Sequence, residues 1–171
     1  GHLPQGAATS PMLANLAMNE MDGWMSELAG RYGLTYTRYA DDLTFSTADA
    51  KFNRADAKKT INDVYRVLSH FGLAPNLAKT TIASPRGRKI VLGLQVDQGI
   101  PRLTRAFKMK IRMHLHYLER EDIGPLKHAE HRGFSAVTGM RNHLMGLAAY
   151  AMQIEPTYGK EIRDRLERVK W

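Results

Sequence analysis

Two adjacent carboxylates, Asp41 and Asp42, stand between two short stretches rich in β-branched and aromatic residues, 34–39 and 43–47. Strand formers on both sides and a turn-forming Asp pair between them predict a β-hairpin with Ala40, Asp41 and Asp42 at its tip. Aspartate is common in plain turns, and that is the bland explanation. Against it, neighbouring anions repel unless something positive compensates, and the flanking stretches are mostly neutral or apolar. Carboxylate oxygens are the hard ligands that Mg²⁺ prefers. Two such ions about 3.5–4 Å apart clamp the attacking and leaving oxygens of an in-line phosphoryl transfer. Two carboxylates are few for that task, so a further one is expected from another strand.

A second group of residues has the chemistry of polyanion binding. Arg105, Lys108 and Arg112 fall at helical spacing, opposite an apolar face of Phe107, Ile111, Leu115 and Leu118. A solvated helix face explains such a stripe, and so does contact with phosphates. The overall charge favours the second. Lys and Arg number 25 against 17 Asp and Glu, a net of +8, which suits a nucleic-acid partner. The excess is uneven: residues 1–100 carry a net of +2 and residues 101–171 a net of +6. His114 and His116 are two apart and do not share a helix face. His128 and His131 are three apart, but with no third ligand evident they are expected to be surface histidines. The nine methionines read as core filler.

The elements that must position these groups are legible from periodicity. The segment Gly1–Gly6 reads as a loop. Thr9 or Ser10 caps a helix in which Pro11 sits in the first turn, and apolar residues from Leu13 to Leu28 continue it to Gly30. Residues 53–71 form a second helix, stopped by Gly72. Short strands are expected near 79–83, 89–92 and 93–97. From Thr104 onward the pattern is helical, at 104–119, 128–153 with a break near Gly139, and 158–169. The class is therefore α+β, with a boundary near residue 100 between a mixed part and an all-α part. At 171 residues, 43 % apolar and 25 % charged, the chain has an ordinary globular composition. No apolar run approaches the roughly 18 residues of a membrane span. With no cysteine, disulfides, thiolate zinc sites and thiol nucleophiles are excluded.

Tyr39-Ala40-Asp41-Asp42, within Tyr36-Thr37-Arg38-Tyr39-Ala40-Asp41-Asp42-Leu43-Thr44-Phe45-Ser46, resembles the catalytic hairpin of reverse transcriptases, most of all the bacterial retron branch. Upstream, Leu3-Pro4-Gln5-Gly6-Ala7-Ala8-Thr9-Ser10-Pro11 resembles the loop and helix start that precede that hairpin, with Ala8 where the family more often has Pro. Gly72-Leu73 with Asn76-Leu77-Ala78-Lys79-Thr80 resembles the next palm motif, and Leu92-Gly93-Leu94-Gln95-Val96 the segment that holds the primer end. Arg141-Asn142-His143-Leu144-Met145-Gly146, Ala149-Tyr150 and Ile154-Glu155-Pro156 resemble the thumb.

The resemblance implies a partial polymerase palm over 1–100, with a catalytic β-hairpin and helices on a small antiparallel sheet, then a helical thumb over 101–171. It implies metal binding by Asp41 and Asp42, with Mg²⁺ as the ion or Mn²⁺ in its place. It places Lys79 near the triphosphate as a charge stabiliser or proton donor. Pro4, Gln5, Gly6 and Tyr39 would lie near template, nucleotide and primer end, Gly93 and Leu94 at the primer, and Arg105, Lys108 and Arg112 on the duplex. The partners implied are an RNA template, an RNA–DNA duplex, deoxynucleoside triphosphates, and an N-terminal fingers and palm segment supplied in cis or by another chain. A bacterial cytoplasm, a phage-defence role and an effector protein follow from the resemblance alone. Two other readings are a group II intron-like or other bacterial reverse transcriptase, and a non-catalytic module that binds RNA or protein.

Overall fold

The computed structural model describes residues 4, 6–97 and 99–171. The expected role of Gln5, and the loop assignment at Gly1 to Leu3, lie outside the described residues. Two compact units divide between Gly87 and Arg88. Both are helix-rich and each has a small antiparallel sheet, an α+β construction.

The first unit contains α1 (Ser10–Ala17), α2 (Asn19–Arg31), β1 (Thr35–Tyr39), β2 (Asp42–Ser46) and α3 (Arg54–His70). Met21, Met25 and Leu28 recur on one face of α2, Val64 and Leu68 on one face of α3, and these five form its core. Tyr36, Leu43 and Phe45 of the two strands pack onto that core. Asn53 caps α3 by accepting from the backbone of Ala55 and Asp56, and the Asp56 side chain reciprocates at Asn53 N–H.

Three expectations are corrected here. The single helix expected up to Gly30 is two helices, broken at Met18, whose backbone leaves helical geometry. α1 buries none of its side chains, so no packing holds it collinear with α2. Nor does Gly30 end α2. Gly33 does, at φ 65°, with Leu34 N–H on Ala29 C=O and Gly33 N–H on Gly30 C=O. Finally, residues 79–83 form no strand. Asn76 draws the Lys79 and Thr80 amides into a local turn instead.

The second unit contains β3 (Ile90–Val91), β4 (Leu94–Gln95), β5 (Arg102–Leu103), α4 (Arg105–Leu118), α5 (Gly124–His131), α6 (Val137–Ile154) and α7 (Pro156–Arg168). The strands form one antiparallel sheet in chain order. Leu92 and Gly93, both at positive φ, make the two-residue turn between β3 and β4. The core gathers Ile111, Leu115, Leu118, Met140, Leu144, Ile162 and Leu166, with buried Leu103 bringing the sheet in. The small sheet thus falls with the helices and runs across the charge step near residue 100, so the part beyond the division is not all-α.

The long helix expected at 128–153 is α5 and α6, parted at 132–136 rather than near Gly139. Gly133 takes positive φ and receives the end of α5, while Gly139 lies inside α6. α6 and α7 touch backbone to backbone. A Cβ placed on Gly159 would collide with the Met152 backbone nitrogen. His128 is not a surface residue: it is buried, as is His114, and their Nδ1 and Nε2 atoms sit 2.9 Å apart. Two turns of chemistry on separate helices meet here, which spacing within one helix does not reveal.

Candidate catalytic hairpin and basic helix face

β1 and β2 pair in antiparallel register with Tyr39 opposite Asp42, which leaves a two-residue loop of Ala40 and Asp41. Asp42 is therefore the first residue of β2, whereas the sequence placed it in the turn. Asp41 remains in the loop, and both carboxylates lie on the surface. Ala40 adopts φ 52°, a left-handed backbone that costs a residue with a Cβ roughly 1–3 kcal/mol. Tyr39, 67 % exposed, stands beside the tip.

The tip is tied to the helices through Arg38. Its side chain is 8 % exposed. Nε donates to Asp22 Oδ1 at 2.8 Å and Nη2 to Asp22 Oδ2 at 2.6 Å. Nη1 donates to Asn15 Oδ1 and to the Ala40 carbonyl, each at 3.0 Å. Tyr36 O–H donates to Asp22 Oδ1 at 2.7 Å. The hydrogen bond from Arg38 holds the Asp22 carboxyl below its usual range, outweighing the opposite effect of burial. Burial and then the bond to Asp22 push the Tyr36 hydroxyl well up. Sequence reasoning missed this network. The available signal was the alternation of β1: Tyr36 and Arg38 share its inward side, and an inward arginine needs an anion.

Among the described residues no cation pairs with Asp41 or Asp42, and no cluster of three acidic or histidine side chains stands ready to hold a metal. Two exposed hard-oxygen donors at one tip fit part of the shell of a divalent cation.

The other candidates are distributed over both units. Pro4 C=O accepts from Ser10 Oγ at 2.7 Å, which fastens the loop to α1. Ser10 thus serves the loop, and neither it nor Thr9 makes a side-chain cap. Gly6 has φ 84°, with nothing within 4 Å of where a Cβ would stand, so the backbone there is open to close approach. Lys79 is exposed in the turn after Asn76, and Tyr65 O–H on Thr80 Oγ1 at 2.7 Å links that turn to α3.

In the second unit Gly93 and Leu94 form the β3–β4 corner. Arg105 and Arg112 are exposed on α4. Lys108 shares their stripe, but its ammonium lies 2.6 Å from Glu155 Oε2 and 4.9 Å from the Tyr158 ring centroid. Burial pushes the Glu155 carboxyl up, yet Lys108 and the Leu103 N–H outweigh it and hold it below its usual range.

Residues 2–118 match the family described as reverse transcriptase (RNA-dependent DNA polymerase), and the chain belongs to that family. It is of the retron type. It is 34 % identical over 161 residues to the retron Ec86 reverse transcriptase of Escherichia coli, covering 92 % of this chain and 48 % of that protein. It is 35 % identical over 178 residues to the retron Ec73 reverse transcriptase of the same species, covering 99 % and 51 %. It is 33 % identical over 161 residues to the retron Mx65 reverse transcriptase of Myxococcus xanthus, covering 94 % and 34 %. The chain spans about a third to a half of the length of these curated relatives. No helix among the described residues is long and apolar enough to cross a membrane.

Proposed function

We propose that this chain supplies the catalytic hairpin and the duplex-binding face of an RNA-directed DNA polymerase that copies a structured RNA into DNA. One observation carries the reading: adjacent carboxylates on a two-residue hairpin turn, Ala40–Asp41, opening into Asp42, in a chain of the reverse transcriptase family. Asp41 and Asp42 would hold Mg²⁺, or Mn²⁺, which when bound stabilises charge on the attacking and leaving oxygens. The third carboxylate would come from a fingers and palm segment, in cis or from another chain.

The chain's own residues do the rest by position and charge. Lys79 offers an exposed ammonium to the triphosphate, as a charge stabiliser or as a proton donor to the leaving pyrophosphate. Pro4, Gln5 and Gly6 line the template and incoming nucleotide, where the open backbone at Gly6 admits a base pair. Tyr39 lies at the primer end, and the Gly93–Leu94 corner supports the primer strand. Arg105 and Arg112 contact duplex phosphates, with Lys108 in the same stripe bound to Glu155. Residues 1–100 act as part of the palm and 101–171 as the thumb. The family resemblance extends the reading to a bacterial cytoplasm and to a retron defence system with an effector protein.

Primer extension by Asp41→Asn in the polymerase-competent protein that carries this chain tests the reading. Loss of nearly all synthesis, with circular dichroism and melting unchanged, is expected. Synthesis at the unsubstituted level would remove Asp41 from catalysis and the hairpin from the active site.

A further inference from the structure

The geometry points to Arg38 as a positioning residue for the hairpin tip: anchored on Asp22 of α2 and Asn15 of α1, its guanidinium holds the Ala40 carbonyl and fixes the turn that orients Asp41 and Asp42. The functional consequence rests on the proposed polymerase role of that hairpin, whereas the positioning itself does not.

The problem this solves is local. The loop has two residues, and the first is an alanine at φ 52°, where glycine would sit without strain. An alanine so placed stays there only when its surroundings over-determine it. Arg38 supplies the constraint. Four of its five N–H donors are used, and each makes a different restraint: two on Asp22, one on Asn15 and one on Ala40. The first three fix the guanidinium plane against two helices. The fourth passes that fixity to the peptide between Ala40 and Asp41. Tyr36 donates to the same Asp22 oxygen as Arg38 Nε, so the anchor is held from two positions of β1. A planar fork spans these partners together, whereas a lysine ammonium neutralises Asp22 but does not reach two helices and a turn at once.

Three variants of the 171-residue chain separate positioning from charge balance. Amide hydrogen exchange over 40–42, read against α2 and α3, is the first measurement. Arg38→Lys keeps a cation on Asp22, and it should speed exchange at the tip at least tenfold while leaving the helices unchanged. Arg38→Gln with Asp22→Asn removes both charges, so no anion is stranded if Arg38→Gln alone fails to fold, and it should loosen the tip in the same way. Adding Ala40→Gly to Arg38→Lys should return exchange toward the original rate, because glycine holds the turn without strain. Tip exchange in Arg38→Lys equal to that of the unsubstituted chain would show that Arg38 only neutralises Asp22, and would overturn the proposal. So would a failure of Ala40→Gly to restore protection.

The polymerase-competent protein gives the second readout. Arg38→Lys should lower kcat about tenfold and raise the Mg²⁺ concentration for half-maximal rate, at unchanged primer–template affinity, with Ala40→Gly recovering most of the loss. Loose tips with an unaltered rate would sink the catalytic role of the hairpin and leave the exchange result standing.

Discussion

Asp41 and Arg38 show how differently two residues three apart can be read. The carboxylate is legible from its neighbours, because Tyr and Thr on either side mark strands and an Asp pair marks a turn. The arginine is not, because its meaning depends on Asp22 and Asn15, which the fold alone brings within 3.0 Å. The same holds for His114 and His128, which lie on separate helices and meet in the core with Tyr117 stacked on His128. Burial, with His128, Arg132, Lys110 and His143 adding repulsion, lowers the His114 pKa from 6.5 to about 4. Burial likewise lowers that of His128, with Arg132 and His131 contributing. The unfolded chain therefore binds more protons than the folded one between these values. The contribution to stability is complete above pH 6.5 and falls away as pH drops toward about 4, at about 1.36 kcal/mol per unit of pKa difference. Urea unfolding of the chain followed from pH 8 to pH 4.5 should show this decline. His114→Phe should flatten it, whatever its effect on absolute stability, and an equally steep decline in that variant would exclude His114 as its source.

At the scale of the element, α3 and α4 match expectation closely because each carries its own stop signals and one apolar stripe. α3 has its capping box and Gly72 at φ 69°. α4 has Thr104, whose side chain accepts from Phe107 N–H. The break at Met18 has no breaker residue to mark it, whereas the break expected near Gly139 falls instead at 132–136, where Gly133 at positive φ ends α5. The basic face of α4 was legible as a stripe, but not the division of labour within it. Arg105 and Arg112 are exposed, whereas Lys108 fastens α4 to Glu155 at the junction of α6 and α7. Replacing both arginines with glutamine should weaken duplex binding alike across sequences. It should also lower the dependence of log affinity on log salt by about 0.9 per lost phosphate contact on B-form DNA. Lys108→Gln should instead lower the melting temperature, by leaving a half-buried carboxylate unpaired. A salt dependence unmoved by the double arginine substitution would identify the stripe as a solvated face.

At the scale of the molecule, the described residues place two carboxylates on a two-stranded sheet and assemble no third ligand around them. The 171-residue chain by itself is therefore expected to fold and yet not to extend a primer with Mg²⁺, since neither ions nor nucleotide would be oriented. Adding a fingers and palm segment in trans should restore synthesis, and robust extension by the chain alone would contradict this. Each unit has its own core, and the second has one further property. At Gly159 the two last helices approach so closely that a side chain on α7 would strike both the backbone and the side chain of Met152 on α6. Ordinary helix pairs are cushioned by side chains that change rotamer under load. On the α7 side this pair has no such cushion at that point, so any side chain at position 159 would have to force the two helices apart.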